Sequence, residues 1–405
     1  MEVIKKKISK LQETFVYAKT IYRNLPFFVR LIFWPVEKIY WLLSVLRLDF
    51  WILQGNEITS KQKLDILYGG TKENRYFLMR LAFNEPSAEI YIGKKWLWAA
   101  ARILKKNGSS IALTVIEVPQ SFKKFFTHNN YFFVPNWVYG EVDISFDISI
   151  FMENKSLNSD VRRIRKNNLT YEISRDLDQF HNFYSKMYVP YITGAHGRES
   201  VILNYDSMKE EFMNGELLLV TKKGEHIGGM AIIYSNHKPR LWCLGIKDGN
   251  MDYVIDGAIG ALFYFSVKYL KEKGFSTVNF DLSRSFLKGG VLQYKKKWGM
   301  KIVNATLMGM IFRPLVKTDG LKNFLINNPF ICLRNKEFYG AIFIEEDRLL
   351  TDEDFTEFYK MYYLEGLSRM LIYQFGQKES HNRNAVTKER SGKFTMSSAE
   401  RLFFQ

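Results

Sequence analysis

The sequence predicts an α/β (α+β) fold in which mixed sheets are flanked by helices. Between Gly215 and Ile246, apolar runs rich in Leu, Val and Ile are separated by turn residues, as in a β-hairpin followed by a third strand. From Ile259 to Leu270 apolar residues recur at helical spacing, and a short strand ending at Asp281 comes next. This succession indicates a sheet that is covered by an amphipathic helix.

The amphipathic helix begins at glycine. Asp256 or Gly257 marks its start, and Gly274 marks its end. A helix that begins at Gly257 or Gly260 presents free backbone N–H groups and the positive end of its dipole, and glycine lets a phosphate approach closely. This end of the helix is therefore a candidate phosphate site. Close packing of the glycines against a neighbouring strand is the structural alternative.

A polar loop is predicted after the strand that ends at Asp281. It contains Gly289 and Gly290, and three consecutive lysines lie between Tyr294 and Trp298. Loops that follow strands often carry functional residues. Basic groups beside aromatic rings also suit a nucleic-acid backbone with stacked bases, but one short cluster is too little to establish that partner.

The chain before residue 150 predicts a first structural half. After Arg75, the run YFLMRLAF alternates like a strand, KKWLWAAARILKKNG has helical periodicity ending at Gly108, and SIALTVIEV is a short apolar strand. Further strands are expected from Phe132 to Ile150. The pattern is therefore strand, helix, strand, followed by further strands.

Residues 1–70 are predicted to form an N-terminal amphipathic, aromatic helical segment. The aromatic run from Leu25 to Leu53 is interrupted by charged residues and broken at Pro35, so one or two helices on a membrane surface or over the core are expected, and not a spanning helix. No short apolar core with a cleavage site follows the basic first residues, and we expect no secretion.

The end of the chain divides into two parts. Residues 316–376 are expected to form a C-terminal extension, with a helix that begins at Asp352 or Asp354. Residues 377–405 are polar and lack periodicity, which predicts a disordered basic tail.

The composition favours a globular protein with anionic partners. The chain has 405 residues, 47% hydrophobic content and a formal net charge of +16. Such a charge favours nucleic acid, anionic lipid or phosphate-bearing cofactors, without choosing among them. Cys243 and Cys332 are the two cysteines, so neither a disulfide framework nor a metal cluster is indicated, and two reduced, buried thiols are expected.

Residues 150 to 315 contain a recognisable succession of motifs. An arginine-rich helix is expected to lead to a strand and then to a helix with spaced aromatic residues, and a basic aromatic turn precedes a Trp-Gly pair. The turn contains Gly290, Tyr294, Lys295, Lys296, Lys297, Trp298 and Gly299. In these features the segment resembles the GNAT superfamily of acyltransferases, and within it the FemAB-like and CelD-like branch. The resemblance implies tandem GNAT-like domains, each with a mixed, mostly antiparallel sheet flanked by helices. Residues 71–150 would form a degenerate half, and residues 151–315 the catalytic half.

Candidate site residues follow from this resemblance and from the needs of acyl transfer. The nucleophile must lose a proton, the acyl carbonyl must be polarised, and the leaving group must gain a proton. Asp281 is expected to act as general base or to orient the acceptor, Tyr294 to protonate the leaving group, and His196 to be the catalytic histidine if there is one. The predicted donor-binding residues are Asp256, Gly257, Gly260, Lys295 and Lys296. The predicted acceptor-binding residues are Arg162, Arg163 and Arg198.

Each of these residues also has a structural explanation. Asp281 suits a turn or a cap, Tyr294 suits packing, and the arginines suit a solvated basic helix. An exposed loop histidine such as His196 is usually incidental. The structure has to decide which of these roles each residue has.

The predicted function is transfer of an acyl group from a coenzyme A thioester to an amine or hydroxyl of a cell-envelope or polysaccharide precursor. Acyl-coenzyme A would be a co-substrate, and no bound cofactor or metal is expected. Expected partners are a phosphate-bearing sugar or lipid-linked acceptor and an anionic membrane surface, with nucleic acid only if the donor is an aminoacyl-tRNA. The expected location is cytoplasmic, at the inner membrane face. The alternatives are aminoacyl-tRNA-dependent, FemAB-like transfer and a non-enzymatic basic protein that binds anionic lipid or nucleic acid.

Overall fold

A computed structural model describes residues 43, 45–107, 110–125, 130–145, 155–197, 200–235, 238–345, 350–376 and 391–403. Its β-sheets contain mostly antiparallel neighbours with a few parallel ones, and helices flank them, which confirms the predicted fold class. The strands are β1 (Arg47–Glu57), β2 (Lys63–Gly70), β3 (Phe83–Trp96), β4 (Leu113–Pro119), β5 (Phe132–Pro135), β6 (Trp137–Asp143), β7 (Thr170–Ser174), β8 (Gly215–Lys222), β9 (Glu225–Ser235), β10 (Lys238–Ile246), β11 (Thr277–Arg284), β12 (Lys301–Ala305), β13 (Met308–Pro314), β14 (Phe330–Arg334), β15 (Glu337–Ile344), β16 (Leu367–Gln374) and β17 (Phe394–Ser398).

Helices connect and cover these strands. They are α1 (Lys72–Ala82), α2 (Ala99–Asn107), α3 (Lys155–Lys166), α4 (Leu177–Phe183), α5 (Val189–His196), α6 (Tyr205–Phe212), α7 (Met251–Ile255), α8 (Ala258–Glu272), α9 (Gly290–Lys296), α10 (Asp319–Asn327) and α11 (Asp352–Tyr362). A π turn, Tyr184–Tyr188, joins α4 to α5. Along the part of the chain that the structure describes, no helix combines the length and the apolar character needed to cross a bilayer.

The two larger sheets share one pattern of strand directions. The first has the order β3-β1-β2-β4-β13-β5, and the second has the order β8-β9-β10-β11-β6-β12, with β7 added beside β8. In both, two antiparallel pairs are followed by one parallel pair and then by two antiparallel pairs. The chain therefore contains two related halves, each built around one parallel pair.

The two halves exchange a strand. β6 belongs by sequence to the first half but pairs with β11 and β12 in the second sheet. β13 belongs by sequence to the second half but pairs with β4 and β5 in the first sheet. The predicted divisions near residues 150 and 315 therefore do not coincide with the division between the sheets.

The C-terminal region forms a third sheet with the order β14-β15-β16-β17. Its apolar residues join the cores of both larger sheets, because Ile342 and Ile372 pack in one and Phe343 and Tyr373 pack in the other. The prediction of a disordered tail is wrong for residues 391–403, since Phe394 and Leu402 are buried and β17 pairs with β16. Residues 377–390 of that predicted tail lie outside the described residues.

Three local predictions need correction. The run after Arg75 forms α1 and not a strand, because Phe77, Leu78 and Ala82 are buried on one helical face. The basic aromatic segment after β11 contains helix α9 and is not a continuous loop. Most of the predicted helical run from Leu25 to Leu53 lies outside the described residues, and its last part, from Arg47, belongs to strand β1.

The hairpin, the third strand and the central helix are confirmed. β8, β9 and β10 pair antiparallel in succession, and α8 follows Gly257 and ends just before Gly274. Cys243 and Cys332 are both buried and free, as expected.

Candidate functional site

The site is built around the parallel pair of the second sheet, β10 and β11. Along their described lengths these strands are in register at one position, Arg240 with Asn279. The corresponding parallel pair of the first sheet, β2 and β4, is in register at four consecutive positions, from Ile66 with Leu113 to Gly69 with Ile116. β10 and β11 therefore diverge toward their carboxyl ends, and backbone N–H and C=O groups on the facing edges are released from sheet pairing.

Both strands are irregular where they separate. The register between β10 and β9 shifts between Leu241 and Cys243, which leaves Trp242 as an extra residue. The register between β11 and β6 shifts between Asn279 and Leu282, and Asp281 there has a φ of +56°. Bulges and left-handed residues other than glycine cost free energy and are concentrated near functional sites, where they redirect a side chain or a backbone group.

A cluster of three charged side chains lies at this separation. Arg240 Nε donates to Asp281 Oδ1 over 2.7 Å, and Lys295 Nζ, from α9, donates to the carbonyl oxygen of Leu282 over 2.7 Å. The side chains of Arg240 and Asp281 are 25% and 13% exposed, and Lys295 is buried. The fold thus brings together two predicted site residues, Asp281 and Lys295, with Arg240, which was not predicted as a site residue.

Burial perturbs the ionisation of both predicted residues. Burial raises the pKa of the Asp281 carboxyl above its usual value, although Arg240 and Lys295 oppose this change. Burial lowers the pKa of Lys295 to about 8, with Asp281 acting in the opposite direction and Arg240 in the same one. Lys295 therefore loses its proton at a pH closer to neutral than an ordinary lysine does.

The π turn Tyr184–Tyr188 packs directly on β10 beside this cluster. A Cβ atom at Gly245 would collide with the backbone of Met187 and Tyr188, so glycine is required for this approach. π turns inside helices are frequent at functional sites, and they interrupt the regular hydrogen bonding of the α-helix for one turn. Here the π turn covers β10 next to the position where β11 diverges.

The matching position of the first sheet is closed. In β4, Glu117 directly follows Ile116, the last residue of that strand that pairs with β2. Glu117 accepts hydrogen bonds from the Tyr68 hydroxyl and from both the backbone and the hydroxyl of Thr71. One carboxylate oxygen of Glu117, Oε1, therefore accepts three hydrogen bonds from its own half of the chain.

The glycines at the start of α8 allow helix α3 to pack closely. A Cβ atom at Gly257 would lie 2.9 Å from the Arg163 Cβ, and one at Gly260 would lie 2.8 Å from the Asp160 Cβ. Asp160 thus brings a carboxylate to the first turn of α8, where a phosphate site was predicted, and the helix dipole favours a negative charge there. Asp256 forms an ion pair with Lys222, and its backbone oxygen accepts from Asn167 over 2.8 Å.

Tyr294 and Lys296 are held by neighbouring helices. The Tyr294 hydroxyl donates to Asp160 Oδ2 over 3.3 Å, and its ring packs against Phe263 with centroids 5.2 Å apart. Burial raises the pKa of Tyr294 far above its usual value. Lys296 Nζ donates to the backbone oxygens of Lys360 and Met361, near the C-terminal end of α11. These contacts within the protein explain the positions of the Tyr294 and Lys296 side chains without a bound ligand.

Two of the remaining predicted residues, Arg162 and Arg163, lie on α3, which carries no residue of the cluster. Arg162 and Arg163 are exposed on α3, and Arg163 lies 3.6 Å from Asp160. His196 is the last residue of α5, and Arg198 lies outside the described residues.

Sequence reasoning missed Arg240 and Asp160. Arg240 is a cation inside the apolar strand KPRLWCLGI, and such a residue usually has a buried acidic partner, so its pairing with Asp281 had a signal in the sequence. Asp160 lies in a helix full of cations, and its contact with Gly260 depends on the tertiary packing of two helices.

No protein-family model matches the chain, and no curated protein matches it in sequence. Several solved structures are similar. The C-terminal domain (DUF2156) of a putative lysylphosphatidylglycerol synthetase from Agrobacterium fabrum is 11% identical, with 67% of this chain and 85% of that chain covered and a TM-score of 0.34. FemX is 13% identical, with 65% of this chain and 84% of that chain covered and a TM-score of 0.34. A tandem GNAT protein from the clavulanic acid biosynthesis pathway is 9% identical, with 64% of this chain and 79% of that chain covered and a TM-score of 0.29. At these identities and scores the likeness assigns neither a donor nor an acceptor to this chain.

Proposed function

We propose that this protein is an acyltransferase whose reaction takes place where β10 and β11 diverge. The observation that carries the proposal is the single register position between these strands, with Asp281 and the buried Lys295 beside it. The acyl group would come from a coenzyme A thioester and pass to an amine or hydroxyl of a cell-envelope or polysaccharide precursor.

The chemistry follows from the groups at the separation. Backbone N–H groups on the free edge of β10 would donate to the thioester carbonyl and stabilise the oxyanion that forms when the acceptor attacks. Lys295, with a pKa of about 8, would accept the acceptor's proton directly or through water. Asp281, held by Arg240 over 2.7 Å, would orient the acceptor through a hydrogen bond. The new C–N or C–O bond forms first, the C–S bond breaks when the oxyanion collapses to the carbonyl, and the thiolate takes up the proton that Lys295 accepted.

The packing of α3 favours a second candidate donor, an aminoacyl-tRNA. Asp160 and Arg163 cover the first turn of α8, so the pyrophosphate of coenzyme A would have to bind elsewhere or displace them. The exposed cations of α3, Arg162 and Arg165 among them, would instead contact a nucleic-acid backbone. The acyl transfer step at β10 and β11 would be the same for an ester donor.

The test measures transfer from radiolabelled acetyl-coenzyme A, a long-chain acyl-coenzyme A and aminoacyl-tRNA to a panel of amino sugars and lipid-linked precursors. Asp281→Asn and Lys295→Met should each lower the rate at least about 100-fold with whichever donor is used. Lys301→Met, which changes an exposed lysine on β12, is the matched control and should keep the wild-type rate. Transfer that is unchanged in both site variants would contradict the proposed location, and no transfer from any donor would favour a non-enzymatic binding protein.

A further inference from the structure

The outer edge of the first sheet exposes aromatic residues. Within the described residues, β3 pairs with β1 on one side, and the chain turns from β3 into α2 at Trp96 and Trp98. These two rings stack with centroids 5.0 Å apart and an interplanar angle of 5°, and Trp98 is 65% exposed. Ile90 and Tyr91 on the same strand are also exposed. Exposed apolar patches on a protein surface often mark an interaction site.

The chain segment that carries the tryptophan pair is rich in cations, although Asp49 on β1 is paired with Lys94. From Ile90 to Asn107 the sequence contains no Asp or Glu. The exposed cations of this segment are Lys94, Lys95, Arg102, Lys105 and Lys106. We call these five cations, together with Trp96 and Trp98, the tryptophan surface. Its charge is complementary to an anionic partner.

Leu46 and Arg47, at the start of β1, contact the same edge. Leu97 N donates to the backbone oxygen of Leu46 over 2.8 Å, and Arg47 pairs with Trp96. The chain immediately before these residues contains the aromatic run LPFFVRLIFWPVEKIYWLL, from Leu25 to Leu43. In sequence, an aromatic and aliphatic run therefore directly precedes the residues that contact Trp96 and Leu97.

We propose that the tryptophan surface docks on an anionic lipid bilayer. Tryptophan is suited to the boundary between lipid headgroups and acyl chains, and lysines attract anionic headgroups. Protection of a sheet edge would explain the lysines, but it does not require two exposed tryptophans. This role does not depend on the proposed transferase activity.

A lipid surface fits these residues better than a nucleic acid does. The two indole rings stack on each other, so their facing sides are unavailable to bases. Ile90, which is exposed on the same strand, and the half-buried Leu97 and Leu104 are aliphatic. Aliphatic side chains suit acyl chains and offer no π face for stacking.

The experiment is cosedimentation of the full chain with vesicles of phosphatidylcholine, with and without phosphatidylglycerol. The test variants are K94E/K95E on β3, K105E/K106E on α2 and W96S/W98S. The control is R165E/K166E, which makes the same change of charge on the exposed face of α3. Thermal unfolding of each variant verifies that it is folded.

We expect wild-type protein and the control to bind vesicles that contain phosphatidylglycerol, and binding to fall as salt is added. Each lysine pair variant should lower the partition coefficient at least about tenfold. W96S/W98S should lower it as well, while the remaining binding keeps its dependence on salt. Equal binding by all variants would overturn the proposal, and so would a loss confined to R165E/K166E. Failure of the wild type to bind vesicles would overturn it too, and a parallel titration with a single-stranded oligonucleotide would then show whether nucleic acid is the partner.

Discussion

Arg240 and Asp281 lie on the two strands that separate in the second sheet, and their side chains join these strands directly, with 2.7 Å between Nε and Oδ1. Arg240 is also the residue through which β10 and β11 are in register. Asn279 is the register partner of Arg240, and Asp281 lies two residues after it. The Asn279 Oδ1 accepts a hydrogen bond from the Asp281 backbone N–H over 2.7 Å. The end of strand pairing is thus fixed by a partly buried ion pair and an Asx-type contact.

This ion pair should be strongly coupled. Urea unfolding of R240M, D281N and the double variant should show that the double variant loses less free energy than the two single variants together, by about 1–3 kcal/mol, because either single change leaves a partly buried charge without its partner. The exposed pair Lys268 and Glu272, 3.9 Å apart, is the control and should couple by less than about 0.5 kcal/mol. Coupling no larger than in that control would contradict the structural role given to Arg240.

Lys295→Met should change how stability depends on pH. The pKa of Lys295 is about 8 in the folded protein, against 10.5 for a free lysine, so the folded state binds fewer protons than the unfolded chain between these values. Raising the pH from 8 to 10.5 should therefore stabilise the wild type relative to the variant, by an amount on the order of 3 kcal/mol. Denaturant unfolding at several pH values measures this difference. A difference that stays constant over that window would show that Lys295 has an ordinary pKa.

Gly260→Ala and Gly290→Ala should have opposite effects on stability. Alanine normally stabilises a helix relative to glycine by about 1 kcal/mol. At Gly260, however, the new Cβ would lie 2.8 Å from the Asp160 Cβ, and separating α3 from α8 should cost about 1–3 kcal/mol. At Gly290, the first residue of α9, no heavy atom lies within 4 Å of the new Cβ.

Chemical denaturation of both glycine variants is the measurement. If Gly260→Ala were as stabilising as Gly290→Ala, α3 could not pack on the start of α8 as closely as described. The phosphate site predicted at that end of α8 would then regain support.

The C-terminal strand should contribute to global stability. Phe394 is buried, and Phe394→Ala should lower the free energy of unfolding by about 3–5 kcal/mol. Thr395 is its neighbour on β17 and is only half-buried, so Thr395→Ala should cost less than about 1 kcal/mol. Thermal or denaturant unfolding compares the two, and equal small effects would support a disordered tail.

Local patterns in the sequence predicted much of the second half. The hairpin turn after Lys222, the periodicity of α8 and its glycine start are properties of adjacent residues, and the structure has them as expected. The strand expected after Arg75 is a helix that buries Phe77, Leu78 and Ala82 on one face. A short apolar run does not by itself distinguish a strand from a buried helix.

The site depended on contacts that no local pattern contains. Asp281 was predicted from its place near the end of a strand, but the cation beside it comes from β10, and Lys295 comes from α9. The role of Gly260 was not predictable either, because its neighbour Asp160 is 100 positions earlier in the chain. Burial, which sets the pKa of Lys295, is a property of the whole fold.

The exchanged strands constrain the order in which this chain can fold during synthesis. β4 emerges from the ribosome early, but one of its sheet neighbours, β13, begins only at Met308. Until then the first sheet has an apolar strand with an uncovered edge, which is the kind of surface that aggregates or recruits chaperones. Contacts between such distant segments also slow folding, since a long loop must close first. The nascent first half should therefore stay sensitive to proteases until the last strand of the second half has been made.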